Sequence, residues 1–208
     1  MARPRTHDEA LRLKLLDRAG ELLAADGPKA LSLRKLAADA GTSTTAVYSL
    51  FGSKPDLVNA LYTEGFRRFG ARMAGTPLTG DAVEDLVALG SAYRTSALAD
   101  PHLYGIMFTK SVPGFEPNED AEKLARETLK PLERIIRRAI ADGVFLDVPP
   151  ETVAVGCWAI VHGLVSLELT GNLPEGFDVT SSYERALRAN ASGWLRPQIT
   201  QTSGTVPS

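Results

Sequence analysis

Leu31-Ser32-Leu33-Arg34-Lys35-Leu36-Ala37-Ala38-Asp39-Ala40-Gly41-Thr42-Ser43-Thr44-Thr45-Ala46-Val47-Tyr48-Ser49-Leu50-Phe51-Gly52-Ser53-Lys54-Pro55-Asp56-Leu57 decides the architecture of this 208-residue chain. Ser32 stands just before Leu33, Leu36, Ala37 and Ala40, the spacing of one buried helix face, and a serine oxygen there accepts a free N–H of the first turn. Gly41 closes that short helix. Only Thr42 intervenes before Ser43, a second cap, opens another short helix through Ala46, Val47 and Leu50 to Phe51. After Gly52 a third cap, Ser53, starts a longer helix in which Pro55 lies close to the first turn, where its missing N–H costs nothing. Two short helices joined by a tight glycine-containing turn form a helix-turn-helix, whose second helix can lie in a major groove.

Upstream, Leu11, Leu15, Ala19 and Leu22, widened by Leu16 and Leu23, predict an amphipathic helix stopped at Asp26-Gly27-Pro28. Downstream, Leu57, Val58, Leu61, Tyr62, Phe66 and Phe69 give the long helix its apolar face. Residues 1–72 hold twelve Arg/Lys against eight Asp/Glu, a net of +4, so the remainder carries −6 of the chain's overall −2. A basic head that meets phosphate and an acidic body that does not are expected.

Composition excludes several classes. No run of the roughly 18 consecutive apolar residues of a membrane span occurs, and Met1-Ala2-Arg3-Pro4-Arg5 opens on charge rather than on a signal sequence, so a soluble, cytoplasmic protein without a membrane partner is expected. Cys157 is the single cysteine, which excludes an internal disulfide and a multi-thiolate zinc site. His7, His102 and His162 are too scattered for a metal constellation, and neither a metal nor a cofactor is expected. No nucleophile elbow, phosphate loop or paired carboxylate suggests an enzyme.

The rest reads as further helices. Asp81 caps one carrying Val83, Leu86, Val87, Gly90 and Tyr93, and a short helix with Leu103, Tyr104, Ile106, Met107 and Phe108 follows Asp100-Pro101. A Pro/Gly-rich loop spans Val112 to Asn118. One long helix is expected from Glu119 to Asp142, kinked at Pro131. A strongly apolar helix from Glu151 carries Val153, Ala154, Cys157, Trp158, Val161, Val165 and Leu169 to Gly171-Asn172. The last helix is placed at Ser182 to Leu195. The tail, residues 197–208, is expected to be disordered.

The runs Leu31 to Ala37, Ala40-Gly41-Thr42-Ser43, Val47-Tyr48, Phe51 and Ser53 to Leu57 resemble the N-terminal domain of TetR-family regulators, without gaps from about Ala10 to Leu61. Trp158-Ala159-Ile160-Val161-His162-Gly163 resembles the WHG type of TetR C-terminal domain. The fold expected is all-α. It comprises a helix-turn-helix DNA-binding domain at 1–52, a connecting helix at 53–73, and a helical effector-binding and dimerisation domain at 74–196. The resemblance implies a homodimer on double-stranded operator DNA, its interface on the last two helices. Val165 is expected on the exposed face of that interface.

The DNA-binding candidates are Ser32, Arg34, Lys35, Thr42, Ser43, Thr44, Thr45, Ala46, Tyr48, Ser49 and Lys54. Arg34 faces outward and is a base-reading arginine, a phosphate contact or simply a solvated surface arginine. Thr44, Thr45, Ala46 and Ser49 carry short groups that contact base edges or phosphates without steric blockage. Tyr48 either bonds phosphate or braces its helix. Lys54, at a helix N-terminus, is expected to clamp a phosphate. Ser32, Thr42 and Ser43 either cap their helices or donate to phosphate. Arg3 and Arg5 form an arm that enters the minor groove or simply adds charge.

Tyr93, Tyr104, Met107, Phe108, Trp158 and His162, with Phe115, sit on helices that by resemblance surround an effector cavity. Core packing is the alternative for each, and His162 is more readily a bonded core residue than a ligand contact. The function implied is a repressor released from a palindromic operator by a small apolar ligand. Alternatives are an activator, a corepressor-dependent regulator, a helical enzyme using the same pocket, or an interaction module without DNA binding.

Overall fold

The computed structural model describes residues 5–109 and 112–197, with side chains from Asp8 onward. Of the expected N-terminal arm, Arg3 lies outside the described residues and the backbone of Arg5 opens the first helix; the expected C-terminal tail lies outside them save Pro197. Ten α-helices and no strand occur among those described: α1 Arg5–Asp26, α2 Leu33–Ala40, α3 Thr44–Phe51, α4 Lys54–Ala74, α5 Ala82–Ala99, α6 Pro101–Phe108, α7 Glu119–Glu127, α8 Lys130–Ala141, α9 Pro150–Leu169 and α10 Val179–Ser192. The all-α class is as expected.

The predicted caps are in place. Ser32 and Ser43 Oγ each accept a backbone N–H three residues on, at 3.1 Å, and Ser53 Oγ does so at 3.3 Å. Asp81 Oδ1 accepts both the Val83 and Glu84 N–H groups at 2.9 Å. Gly41 and Gly52 end their helices at φ +66° and +72°, a region that only glycine enters without strain.

Apolar side chains collect in two buried clusters. The first joins α1 (Leu15, Leu16, Ala19, Leu22), α2, α3 (Val47, Phe51) and the start of α4 (Leu57, Val58, Leu61). The second joins the end of α4 (Phe69, Met73) to α5, α8, α9 and α10. α4 therefore serves both. So does α6, whose Leu103 and Ile106 enter the first cluster while Tyr104 enters the second. A β-carbon on Gly65 of α4 would stand 2.8 Å from Met107 Sδ, so this glycine permits the close approach of α4 to α6.

The same seam carries ions. Arg68 of α4 pairs with Asp17 of α1 at 2.8 Å, with Glu64 at 2.7 Å and with Asp100, before α6, at 2.9 Å; Arg72 reaches Asp100 at 2.6 Å. Burial works to raise the Glu64 and Asp100 carboxyls, but the arginine hydrogen bonds outweigh it and hold both below the ordinary carboxylate range.

Three expectations are corrected. The single kinked helix over 119–142 is two, α7 and α8, broken at Thr128-Leu129: Pro131 has no N–H to offer Glu127, and the Thr128 hydroxyl takes the Ala125 carbonyl at 2.7 Å. The last helix starts earlier, at Val179, because Asp178 accepts the Ser181 N–H at 3.2 Å and caps it. Val165 is fully buried within the subunit rather than on an exposed face. α9 is long and apolar enough to cross a membrane by length and composition, although, as expected, it holds no unbroken apolar run. One of its polar groups is used inward: Glu168 accepts two hydrogen bonds from Arg94 of α5, at 2.6 and 2.7 Å.

Candidate DNA interface and interior cavity

α2 and α3 bury one face each and present the other. On α2, Leu33, Leu36, Ala37 and Ala40 are buried, which leaves Arg34 and Lys35 exposed. On α3, Val47 and Phe51 are buried, which leaves Thr44, Thr45, Tyr48 and Ser49 exposed and Ala46 and Leu50 half-buried. Tyr48 stands out with 47% of its surface open, a large ring with no core role. Ser32 and Ser43 are exposed and Thr42 half-buried, all at the mouths of these helices. Every candidate residue thus belongs to one contiguous segment, Ser32 to Lys54.

The cations there differ in their commitments. Lys35 Nζ pairs with Asp26 at 3.1 Å across an exposed surface. Arg18 of α1 holds Asp39 at 3.2 Å, taking one acidic group of α2 out of play. Lys54 Nζ donates to the Pro28 carbonyl, stapling the start of α4 to the turn after α1. An ammonium has three donors, so two remain for an anion. Arg34 makes no ion pair among the described residues.

Behind the head, α4 to α10 enclose a cavity of about 310 Å³, within the range of small-molecule sites. Phe66, Phe69 and Met73 come from α4, Leu86, Leu89 and Tyr93 from α5, Met107 and Phe108 from α6, Leu129 and Leu132 from the α7–α8 corner, Cys157, Trp158 and Val161 from α9, and Leu187 from α10. Apart from the Cys157 thiol and the Trp158 indole N–H, its polar or charged lining among the described residues is Tyr62, Tyr93, Arg126, Thr128 and Asn190. Burial pushes the Cys157 thiol up to about 11, so it is a neutral, unreactive wall group.

Of the predicted ligand-binding residues, Tyr93, Met107, Phe108 and Trp158 line this cavity. Tyr104, His162 and Phe115 do not. Tyr104 and His162 form, with Tyr93, a polar knot in the wall: His162 Nδ1 lies 2.8 Å from the Tyr104 hydroxyl and 3.1 Å from that of Tyr93, and the hydroxyls are 3.0 Å apart. Burial lowers the imidazole's pKa and raises those of both phenols, so all three are neutral. With the imidazole proton on Nε2, Tyr104 donates to Nδ1 and Tyr93 donates to Tyr104. The hydroxyls expected to anchor a ligand are therefore spent on one another. Phe115 instead packs on Tyr62, ring centroids 5.8 Å apart.

Sequence reasoning missed Tyr62, Phe66, Phe69, Met73, Arg126 and Asn190. The first four carried a signal: they continue the apolar stripe of α4 at helical spacing beyond the point where the head's core ends. Arg126 and Asn190 carried none, since each is one polar residue among many on its helix.

Comparison with known proteins follows this division. Residues 15–61 match the profile of the bacterial regulatory proteins of the tetR family, and residues 86–190 that of the tetracyclin repressor-like C-terminal domain. The HTH-type transcriptional regulator Rv1816 of Mycobacterium tuberculosis is 23% identical over 192 residues, covering 78% of this chain and 82% of that protein. Among solved structures, a protein of unknown function from Rhodococcus sp. RHA1 superposes with a TM-score of 0.77 at 29% identity, covering 89% of this chain and 96% of that one. PfmR, a TetR family transcriptional regulator from Thermus thermophilus, shares the fold with a TM-score of 0.68 at 20% identity, over 88% of this chain and 94% of its own. With a reading head at one end and a helical body at the other, each matching its half of the family, the chain belongs to the TetR family of bacterial transcriptional regulators.

Proposed function

We propose that this regulator is a dimeric repressor, released from a palindromic operator by a small apolar effector. The observation that carries the reading is that the cavity and the reading head share two helices. α4 contributes Leu57, Val58 and Leu61 to the head's core and Phe66, Phe69 and Met73 to the cavity wall; α6 contributes Leu103 and Ile106 to the one and Met107 and Phe108 to the other. Packed side chains do not deform continuously. A ligand that fits only when Met107 and Phe108 repack must shift α6 against α4, and with it the angle at which α3 is presented. An effector regulates by the difference in its affinity for the two arrangements, so tight binding alone is not enough.

One helix-turn-helix offers few base contacts, and two copies on a symmetric site supply the rest, with recognition helices about 34 Å apart along the groove. α9 supports the pairing. Its inner stripe (Val153, Val161, Val165) is buried, while Val155, Ala159 and Leu167 stay exposed away from it, an apolar surface a monomer has no use for. A self-complementary face of this kind suits a two-fold dimer. Arg34, Thr44, Thr45, Ala46, Tyr48 and Ser49 then read or flank the major groove, and Lys35 and Lys54 hold phosphates.

The test is selection from a random DNA pool by the full-length protein. An inverted repeat should be enriched, and effector candidates that raise the melting temperature should release it. Enrichment of unrelated, asymmetric sequences would contradict the operator reading, and tightening of binding by every stabilising compound would make the ligand a corepressor.

A further inference from the structure

The cavity's polar groups are unevenly placed, and their placement selects a ligand class. Arg126 is the one charged residue in its lining among the described residues. It lies on α7 at the rim with 65% of its side chain exposed, and its partner Glu122, a turn away at 3.4 Å, is itself 48% exposed. A surface pair of this kind contributes little and yields to a better anion. Beside it stands Tyr62 of α4, whose phenol senses the charges of Glu122 and Arg126 after the dominant effect of burial, and whose hydroxyl makes no hydrogen bond among the described residues. The phenol of Tyr93 is held in the His162 knot, and the Thr128 hydroxyl is spent on the Ala125 carbonyl. The Trp158 indole N–H is likewise taken up by the Tyr93 hydroxyl, and the rest of the walls between Arg126 on α7 and Asn190 on α10 is carbon and sulfur. α7 packs on α4, whereas α10 packs on α5 and α9, so the two polar residues come from different walls of the space.

We propose that the cavity takes an elongated apolar monocarboxylate, its head held at the rim by Arg126 and Tyr62 and its body lying among the side chains of α4, α5, α6 and α10. The assignment rests on the effector reading above and adds the ligand's charge and orientation. A guanidinium meets a carboxylate with two parallel hydrogen bonds, and the free phenol adds a third donor. The head stays in water at the rim while the body leaves it, so no buried charge has to be compensated. A cationic head would face Arg126 unpaired. A dianion would meet a single cation of the lining, on a helix where Glu119, Asp120, Glu122 and Glu127 outnumber Lys123 and Arg126, a poor match. The head would also rest on α4 itself, one residue past Leu61 of the reading head's core.

The probes are decanoate, decanol and decylamine, titrated into the full-length protein by calorimetry. Decanoate should bind about fivefold or more tightly than decanol, with decylamine the weakest. Arg126→Gln should bring decanoate down to the level of decanol, and Arg126→Lys should restore part of the difference. Ala125→Trp, which fills the mouth from a half-buried position, should weaken decanoate and decanol alike. Equal binding of decanoate and decanol by the unmodified protein, or a preference that survives Arg126→Gln, overturns the head-group assignment while the cavity reading stands. Failure of all three probes to bind, or binding indifferent to Ala125→Trp, overturns both.

Discussion

Arg34 and Lys54 are both cations of the reading head, and the residues around them separate their roles. Arg34 is exposed and without an ion pair among the described residues, free to meet a base edge. Lys54 is tied by one donor to Pro28 and presents the rest of its charge at a helix N-terminus. Lys54→Ala should weaken binding to all DNA and flatten the dependence of affinity on salt by about one unit of slope. Arg34→Ala should cost about 1 to 3 kcal/mol on the selected operator and much less on random DNA, as fluorescence anisotropy would read; equal losses on both would make it a phosphate contact. The wall knot makes a finer prediction. Tyr104 both donates to His162 and accepts from Tyr93, so Tyr104→Phe strips two bonds of the knot and leaves the Tyr93 hydroxyl, 3.1 Å from Nδ1, to donate to the imidazole instead. Tyr93→Phe strips its bond to Tyr104 and the one it accepts from the Trp158 indole. Urea unfolding should show a cost of about 1 to 2 kcal/mol for each, and no cost for either would take that hydroxyl out of the knot.

At the scale of elements, α4 and α6 carry the communication that the proposed function requires, and Gly65 is a point of close approach between them. A β-carbon there collides with Met107 Sδ and comes within 2.9 Å of its Cγ. Methionine is flexible enough to move, but only into the cavity or away from α4. Gly65→Ala should therefore cost about 1 to 3 kcal/mol of stability and, because the displaced side chain is cavity wall, weaken effector binding as well. Loss of stability with an unchanged effector affinity would detach Met107 from the cavity. The ion pairs along α4 act in the same seam. Their depressed carboxyls, Glu64 and Asp100, add stability that is complete above their ordinary values of 4.5 and 3.8 and is lost as the pH falls through the lower folded ones. Acid should loosen head from body, visible as a fall in melting temperature below about pH 4 that Glu64→Gln makes shallower.

For the whole molecule, the two stripes of α9 assign different fates to two valines. Val155 is 59% exposed and Val165 fully buried in the subunit. Val155→Glu should leave the helical circular dichroism intact and shift sedimentation from dimer to monomer, with operator binding lost in step. Val165→Glu should unfold the body, because it places an unpaired charge in the second core cluster, a change that commonly exceeds about 3 kcal/mol. A Val155→Glu protein that still sediments as a dimer would move the interface elsewhere.

The head was legible from residues because its determinants are local: a serine caps the turn that follows it, a glycine takes the positive φ beside it, and the apolar spacing of α2 and α3 states which side is buried. The side left over is the candidate DNA surface, so that surface could be read from the chain as well. The body yielded less, for a physical reason that recurs at each correction. An apolar helix such as α9 has two faces that look alike in sequence, and only packing against α5 and α10 puts Val165 inside and Val155 outside. Tyr93, Tyr104 and His162 are far apart in the chain, and their mutual hydrogen bonds, which turn three candidate ligand contacts into a wall, exist only once α5, α6 and α9 are assembled. The cavity is likewise a space between helices. That Tyr62, Arg126 and Asn190 border it while Phe115 does not was decided by how α4, α7 and α10 come together, which no local spacing records.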